Sequence, residues 1–204
     1  MTSTELPNGS PSVDATGVVL AAGAGRRFGQ PKALVQFHGE RLVDRAVRLL
    51  ISGGCRRVVV VSGAAPLQVD GADVVHNPRW RTGMGSSLVT GLAAVRESAA
   101  LVIPVDMPWL GAEAVRRLRF AGSTLAVATY HGRRGHPVLI GSQHFPEVSA
   151  TAVGDIGARE YLATHAYLVR AVPCDDTGTA ADVDTPQDLV DALGFARPEG
   201  GYPG

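Results

Sequence analysis

Two groups of residues in this sequence could carry out phosphate chemistry, and the first is a glycine-rich segment. The apolar run 17–22 ends at Gly23, and Gly25, Arg26 and Lys32 follow it. Glycines let a backbone approach a phosphate group closely and turn its amide groups toward it. Arg26 and Lys32 would add the charge-assisted donors that a triphosphate requires. A flexible turn with solvated arginines is the alternative interpretation of this segment.

The spacing of the segment does not match two common phosphate-binding loops. A dinucleotide fingerprint needs a small residue where Phe28 stands. A P-loop needs Lys-Ser or Lys-Thr directly after its closing glycine, but Gln30 follows Gly29. The segment is therefore predicted to hold a triphosphate with backbone amides and separate cations, and Arg26 and Lys32 are predicted to be catalytic.

The second group consists of two aspartates. Asp106 follows the apolar run 100–105, which places its carboxylate at the carboxyl edge of a predicted sheet. Asp184 precedes a predicted helix that begins at Thr185. Mg²⁺ usually takes one or two protein carboxylates and completes its shell with phosphate oxygens and water. Both aspartates are predicted to bind Mg²⁺ and Asp106 to be catalytic; the alternative for Asp184 is that it only caps the helix.

The composition argues against several other classes of protein. Nineteen Lys and Arg residues balance nineteen Asp and Glu residues in a chain of 204 residues. Binding to nucleic acid or to a membrane surface is therefore not expected. Cys55 and Cys174 stand far apart and the six histidines are scattered, so neither a disulfide framework nor a zinc site is predicted. A reducing, cytoplasmic compartment is expected, and with no nucleophile elbow in the sequence the reaction is expected to be a direct in-line displacement.

Strand-like and helix-like segments alternate along the chain. This alternation predicts an α/β fold, a Rossmann-like doubly wound and mostly parallel sheet with helices on both faces. Predicted strands cover 17–22, 57–62, 72–75, 100–105, 124–130, 137–140 and 167–172, and predicted helices cover 42–50, 86–96, 112–120, 156–164 and 185–193.

The ends of the chain differ in composition from its middle. Residues 1–15 are rich in Ser, Thr, Pro and Gly and are predicted to form a disordered tail. Residues 16–195 are predicted to form one domain, and 196–204 a second flexible tail.

Six motifs in a fixed order give the chain a resemblance to a known family. Leu20-Ala-Ala-Gly-x-Gly-Arg-Arg-x-Gly-x-x-Lys32 resembles the signature of nucleotidyltransferases that activate sugars, isoprenoid precursors and molybdopterin. With the five motifs that follow, residues 17–193 resemble the molybdenum cofactor cytidylyltransferase branch of the molybdopterin-type nucleotidyltransferase family. Those motifs are Asn77-Pro-x-Trp80-x-x-Gly83-Met84-x-x-Ser87-Leu88, Asp106-Met-Pro108, Gly132-Arg-Arg-Gly-His136-Pro137, Gly154-Asp-x-Gly-Ala-Arg159 and Asp182-Val-Asp184-Thr-Pro186.

The resemblance implies a nucleotide-diphospho-sugar transferase type of fold, a domain that uses Mg²⁺, and transfer of CMP from CTP to the molybdenum (molybdopterin) cofactor with release of pyrophosphate. The segment 77–88 is expected to lie on the nucleobase side, with Trp80 used for packing. The nucleotide-binding residues are predicted to be Leu20, Ala21, Ala22, Gly23, Gly25, Arg26, Lys32, Asn77, Gly83, Ser86 and Ser87, and the acceptor-binding residues Arg134, His136, Asp155 and Arg159.

Several alternatives remain at this point. Met107 stands where the cytidylyltransferase branch often has Gln, so guanylyl transfer, or another small phosphorylated acceptor, is the first alternative. A non-catalytic carrier or maturation protein of the molybdenum cofactor is the second, although it would not need Lys32 and two metal-binding aspartates together. A Rossmann oxidoreductase is the third and is disfavoured by Phe28. The expected partners are a nucleoside triphosphate, a molybdopterin-type acceptor and, transiently, a molybdoenzyme or its maturation factor.

Overall fold

A computed structural model describes residues 12–195 of the chain, and its centre is a seven-stranded sheet. The strands are β1 (Ala15–Leu20), β2 (Gln36–Phe37), β3 (Glu40–Arg41), β4 (Val58–Ser62), β5 (Asp73–His76), β6 (Ala99–Pro104), β7 (Leu125–Tyr130), β8 (Arg133–Gly141) and β9 (Arg170–Pro173). The helices are α1 (Leu42–Ser52), α2 (Met84–Ala93), α3 (Ala112–Arg119), α4 (Phe145–Thr151), α5 (Arg159–Thr164) and α6 (Pro186–Phe195).

The main sheet has the strand order β5-β4-β1-β6-β8-β7-β9. Strand β8 runs antiparallel to β6 and β7, and the other neighbours are parallel. Strand β8 reverses direction because only His131 and Gly132 connect it to β7, both with positive φ (50° and 74°), as a tight hairpin turn requires. Strands β2 and β3 form a separate antiparallel pair. The predicted α/β fold with a mostly parallel sheet is confirmed.

Two apolar cores lie on opposite faces of the sheet. Val18 and Val19 are adjacent in β1 and fully buried, and they belong to different cores because successive side chains of a strand point to opposite faces. Val19 packs in the core that contains Leu50 of α1, whereas Val18 packs in the core that contains Leu88 of α2 and Val148 of α4. The apolar runs of the sequence therefore correspond to strands that are covered on both sides.

Some predicted boundaries are wrong. Ala15 was assigned to the tail, but it begins β1 and is 1% exposed, and Val13 N–H donates to the carbonyl of Arg119. The predicted helix 156–164 begins only at Arg159, since Gly157 has a positive φ of 59°. Helix α4 was not predicted at all. The remaining parts of the predicted tails, 1–11 and 196–204, lie outside the described residues.

Among the residues that the structure describes, no helix combines the length and the apolar character that a membrane span needs.

Helix α1 provides a test of the core. Leu50 is fully buried, and it packs so closely on β1 that a Cβ added at Gly17 would lie 2.8 Å from Leu50 Cδ1. We expect Leu50→Ala to lower the free energy of unfolding by about 2–5 kcal/mol in urea denaturation, because it removes buried methyl groups and leaves a cavity. Ile51→Ala, on the neighbouring position that is 47% exposed, should cost less than about 1 kcal/mol. Equal losses would contradict the packing described for α1.

Candidate functional site

A cleft of about 470 Å³ opens at the carboxyl ends of β1 and β6. These strands are parallel neighbours in which Leu20 pairs with Pro104, so the segments that follow them leave the sheet at the same edge. The cleft is lined by Leu20, Ala22, Gly23, Ala24, Gly25, Arg26, Lys32, Trp80, Arg81, Thr82, Gly83, Met84, Ser87, Pro104, Val105, Asp106 and Asp155.

Most residues predicted to bind nucleotide line this cleft, and three do not. Ala21 is 5% exposed and packs in the core. Asn77 is fully buried, and its Nδ2 donates to Ser86 Oγ (2.9 Å) and Ser87 Oγ (3.1 Å). Ser86 Oγ also lies 2.9 Å from the carbonyl oxygen of Gly83. These three residues lie outside the lining of the cleft, and Asn77 and Ser86 hold the segment before α2 in place; their contact with nucleotide stays a prediction.

The glycine-rich segment forms a compact turn. Gly25 has a φ of 60°, and a Cβ added there would lie 1.9 Å from the carbonyl oxygen of Gln30. The carbonyl of Gly25 accepts hydrogen bonds of 2.9 Å from the amides of Phe28 and Gly29. Only glycine fits this conformation and this contact. Arg26 is exposed beside the turn and makes no ion pair or hydrogen bond with any residue in the range 12–195.

Lys32 brings the two predicted metal ligands together. Its Nζ donates to Asp106 Oδ2 and to Asp184 Oδ1, each at 2.7 Å. Because both carboxylate oxygens lie 2.7 Å from the same nitrogen, Lys32 Nζ, the distance between them is at most twice that value. Arg27 Nη1 donates to the second oxygen of Asp184 at 3.0 Å, although the Arg27 side chain is largely exposed.

The charges of this cluster stabilise one another. Burial opposes the charge of Lys32, but its hydrogen bonds to Asp106 and Asp184 outweigh burial, and its pKa is raised above the ordinary value. The hydrogen bond from Lys32 lowers the pKa of Asp184, and the positive charges of Lys32 and Arg27 act in the same direction. Lys32 is therefore charged and Asp184 ionised at neutral pH.

Backbone contacts place Asp184 beside Asp106. Val183 is fully buried, and its N–H donates to the carbonyl of Asp106 at 2.9 Å. Thr179 N–H donates to the carbonyl of Trp109 at 3.2 Å. The segments 106–111 and 177–184 thus run against each other, although they are far apart in the sequence.

Two glycines allow this close packing. A Cβ added at Gly111 would lie 1.7 Å from the carbonyl oxygen of Thr177. Gly178 has a φ of 131°, and a Cβ added there would lie 2.3 Å from the carbonyl oxygen of Trp109. Because both obstacles are backbone atoms, a larger residue would have to push the two segments apart.

Helix α6 is capped by residues other than Asp184. Asp188 Oδ2 accepts hydrogen bonds of 2.8 Å from the amides of Asp184 and Thr185. Thr185 Oγ1 in turn accepts a hydrogen bond of 3.3 Å from the amide of Asp188. This reciprocal arrangement is a capping box with Thr185 as the N-cap. The carboxylate of Asp184 is not used for capping and is available to face Lys32.

The residues of the cluster fit a hard divalent cation. Asp106 and Asp184 offer neighbouring carboxylate oxygens, which Mg²⁺ and Mn²⁺ prefer, and Lys32 Nζ occupies the position between them with a positive charge. Within residues 12–195, no group of three or more His, Cys, Asp or Glu side chains could hold a metal ion. A two-carboxylate site is what a cation needs when phosphate oxygens and water complete its shell.

Asp155 reaches the cleft from the segment before α5. Its Oδ1 accepts a hydrogen bond of 3.2 Å from the amide of Met84, at the start of α2. Gly85 N–H donates to the carbonyl of Gly154 at 2.8 Å, and Gly83, with a φ of 114°, would place an added Cβ 2.4 Å from that carbonyl. The start of α2 and the segment around Asp155 are therefore fixed to each other, and Asp155 lies among the cleft-lining residues.

The other residues predicted to bind the acceptor do not line the cleft. Arg134 and Arg159 are exposed, and Arg134 Nη1 lies 3.4 Å from the carbonyl oxygen of Leu162. Burial, reinforced by the positive charge of Arg159, lowers the pKa of His136 to about 4. Arg134 and His136 belong to β8 and Arg159 begins α5, so these three residues lie outside the lining of the cleft that Asp155 reaches. Their role in acceptor binding stays a prediction.

Seven residues that line the cleft were not predicted to bind a ligand: Ala24, Trp80, Arg81, Thr82, Met84, Pro104 and Val105. Trp80 and Arg81 form part of the wall, together with Thr82 and Met84. Trp80 also packs against the core, as predicted. The lack of a side chain at Gly63 makes room for it, since a Cβ added there would lie 2.6 Å from Trp80 Cβ. The Asn-Pro-x-Trp motif before α2 was the sequence signal for this wall.

Known proteins similar to this chain fall into more than one functional class. Residues 17–170 match the MobA-like NTP transferase domain. The chain is 38% identical over 195 residues to nicotine blue oxidoreductase of Paenarthrobacter nicotinovorans, covering 87% of this chain and 96% of that protein. It is 42% identical over 108 residues to molybdenum cofactor guanylyltransferase of Xanthomonas euvesicatoria, covering 50% and 52%. It is 22% identical over 184 residues to molybdenum cofactor cytidylyltransferase of Escherichia coli, covering 86% and 93%.

A solved structure supports the fold. The crystal structure of Rv0371c from Mycobacterium tuberculosis has a TM-score of 0.77 and 27% sequence identity, covering 90% of this chain and 98% of that chain. A structure of Rv0371c in complex with manganese has a TM-score of 0.73 and 25% identity, covering 90% and 100%.

The close contact at Gly111 predicts that this glycine is needed to keep Asp184 beside Asp106. Gly111→Ala should destabilise the protein by roughly 1–3 kcal/mol, because its methyl group overlaps the carbonyl of Thr177. It should also move Asp184 away from Lys32, so that the pKa of Asp184 rises toward its ordinary value in a carbon-13 NMR titration. Gly122→Ala is the control, since nothing lies near an added Cβ there although φ is 64°. An unchanged Asp184 pKa in Gly111→Ala would contradict the account of the two packed segments.

The pKa of His136 predicts a pH dependence of stability. The pKa of His136 is about 4 in the folded protein and near 6.5 in an unfolded chain. As the pH falls, the unfolded state therefore binds a proton at a higher pH than the folded state does. The wild-type protein should therefore lose stability between about pH 6.5 and pH 4 in urea denaturation, and His136→Gln should lose less over that range. His131→Gln, at a side chain that is 89% exposed, should behave like the wild type. Identical pH profiles for wild type and His136→Gln would show that the imidazole is not desolvated.

Proposed function

The chain belongs to the MobA-like NTP transferase family, and from this premise we propose that it transfers CMP from CTP to the molybdenum (molybdopterin) cofactor and releases pyrophosphate. The observation that carries the proposal is the cluster of Lys32, Asp106 and Asp184 beside a cleft whose volume suits a nucleoside triphosphate. The glycine turn supplies amides to the same cleft, together with Arg26, which has no ion-pair partner among residues 12–195.

Different residues of the cleft bind the phosphates and the divalent cation. The amides around Gly23 and Gly25, with Arg26, hold the phosphates. Asp106 and Asp184 hold a divalent cation, Mg²⁺ or Mn²⁺, which when bound neutralises phosphate charge and aligns the reacting oxygens. With a cation bound there, Lys32 would exchange its two carboxylate partners for phosphate oxygens.

The transfer itself is a single displacement. An oxygen of the acceptor's phosphate forms a bond to the α-phosphorus of CTP. The bond from that phosphorus to the oxygen bridging the α- and β-phosphates breaks, and its electron pair leaves with pyrophosphate. The protein contributes position and charge rather than a covalent intermediate. Release of the loaded cofactor to a molybdoenzyme or its maturation factor would follow as a transient contact.

The choice between CTP and GTP rests on few groups. The order of the sequence motifs favours cytidylyl transfer, whereas Met107 and the similarity to a guanylyltransferase favour guanylyl transfer. The cleft-lining groups beside α2, Gly83 and Ser87 among them, offer mostly backbone and hydroxyl groups, and these can serve either base. A panel of nucleotides is therefore the direct test.

A second candidate function is an oxidoreductase, because the chain is similar over nearly the full length of nicotine blue oxidoreductase. In that case the glycine turn would hold the pyrophosphate of a dinucleotide. The aspartate pair weighs against this function, since dinucleotide binding and hydride transfer require no divalent cation. The observation that separates the two is the product: pyrophosphate in one case and an oxidised dinucleotide in the other.

The experiment measures pyrophosphate release with CTP, GTP, ATP and UTP, with and without molybdenum cofactor, alongside oxidation of NADH and NADPH. We expect metal-dependent pyrophosphate release that requires the cofactor and is greatest with CTP. Asp184→Ala should lower this rate at least about 100-fold, because it removes half of the carboxylate pair. Asp182→Ala, which changes an exposed carboxylate two positions away, should keep the rate.

Three results would count against the proposal. Cofactor binding without pyrophosphate release would indicate a carrier. Oxidation of a nicotinamide dinucleotide without pyrophosphate release would indicate the oxidoreductase. Substantial turnover in folded Asp184→Ala would remove Asp184 from the metal site.

A further inference from the structure

We propose that Arg81 binds the phosphate of the acceptor. This inference rests on the proposed function and deepens it, because it assigns the acceptor's anionic group to a residue on the wall of the same cleft. Arg81 lies in the turn Trp80–Thr82, directly before α2.

The balance of charge in the cleft leaves two cations available to ligands. Of the basic residues that line the cleft, Lys32 is already paired with Asp106 and Asp184. Arg26 and Arg81 are exposed, and neither forms a hydrogen bond or an ion pair with a residue of the described part of the chain. An arginine that lines a cleft without a carboxylate partner has its N–H donors free for an anion.

Nucleotidyl transfer brings two anions together. The attacking phosphate of the acceptor must approach a triphosphate that repels it, so each needs positive charge. Arg26 belongs to the glycine turn and serves the triphosphate. Arg81 belongs to the segment 77–88, which is expected on the nucleobase side, but it shares the cleft with Asp155, a predicted acceptor-binding residue that is hydrogen-bonded to Met84 of the same segment. Among the three basic residues that line the cleft, Arg81 is the one left to meet the second anion.

Trp80 holds Arg81 in position. The guanidinium carbon of Arg81 lies 4.4 Å from the centre of the Trp80 ring, within the range of a cation–π contact. Trp80 is itself packed against the core, and Gly63 leaves room for its Cβ. The side chain of Arg81 is thus supported by a fixed aromatic surface while its N–H groups stay unbonded within the described residues. Such support reduces the entropy lost when an anion binds.

Binding measurements test the inference without depending on turnover. Inorganic phosphate, as the probe for the acceptor's phosphate, is titrated by calorimetry into the full chain saturated with Mg²⁺ and an α,β-methylene triphosphate of the preferred base. Arg81→Ala should weaken phosphate binding at least about tenfold and change triphosphate affinity by less than about twofold, because it removes charge-assisted hydrogen bonds to phosphate alone. Arg81→Lys should restore part of the affinity.

Arg79→Ala is the matched control. Arg79 is exposed, precedes the same turn and does not line the cleft, so phosphate and triphosphate should both bind as in the wild type.

In steady-state assays, Arg81→Ala should raise the KM for the molybdenum cofactor and leave the KM for the nucleotide unchanged.

The outcomes separate the two proposals. Normal triphosphate binding with unchanged phosphate binding in Arg81→Ala overturns the role of Arg81 and leaves the proposed function standing. Loss of triphosphate affinity in Arg81→Ala as large as that in Arg26→Ala assigns Arg81 to the nucleotide and also overturns the inference. A wild-type protein that binds no triphosphate overturns the proposed function and this inference with it.

Discussion

The contact of one ammonium group with two carboxylates is the constraint on which the rest of the cleft depends. Lys32, Asp106 and Asp184 come from three distant parts of the chain, and Lys32 and Asp106 are largely withdrawn from water. Charged groups in such surroundings are stable only when their partners are correctly placed. The fold meets this requirement by the parallel pairing of β1 with β6 and by the hydrogen bond from Val183 to the backbone of Asp106.

Close backbone packing extends this constraint through the loops at the same edge of the sheet. Gly111 and Gly178 let the segments that carry Asp106 and Asp184 touch, and Gly83 lets the start of α2 touch the segment before Asp155. The cleft therefore has walls made of segments that are fixed to each other rather than of independent loops. Side chains such as Arg81 are positioned by this packing.

The sequence allowed the sheet and the two aspartates to be predicted for identifiable reasons. Short apolar runs rich in valine, such as that of β4, indicate buried strands, and Asp106 directly follows an apolar run. The start of a helix at Thr185 was also predicted, whereas the part that Asp188 takes in its capping box was not. The burial of Asn77 and the position of Arg81 in the cleft were not predictable. Both depend on how the segment before α2 packs against the rest of the protein, and no local sequence pattern indicates that packing.

Lys32 also acts as an internal counter-ion. Together with Arg27, it offsets the charge of two carboxylates that would otherwise repel each other, so a cation from solution would meet carboxylates that already have partners. Under the proposed function, a divalent cation would compete with Lys32 for the two carboxylates, and a phosphate would compete with the carboxylates for Lys32. The affinities for metal and nucleotide would then be linked, and by thermodynamic reciprocity each ligand would strengthen the binding of the other to the same degree.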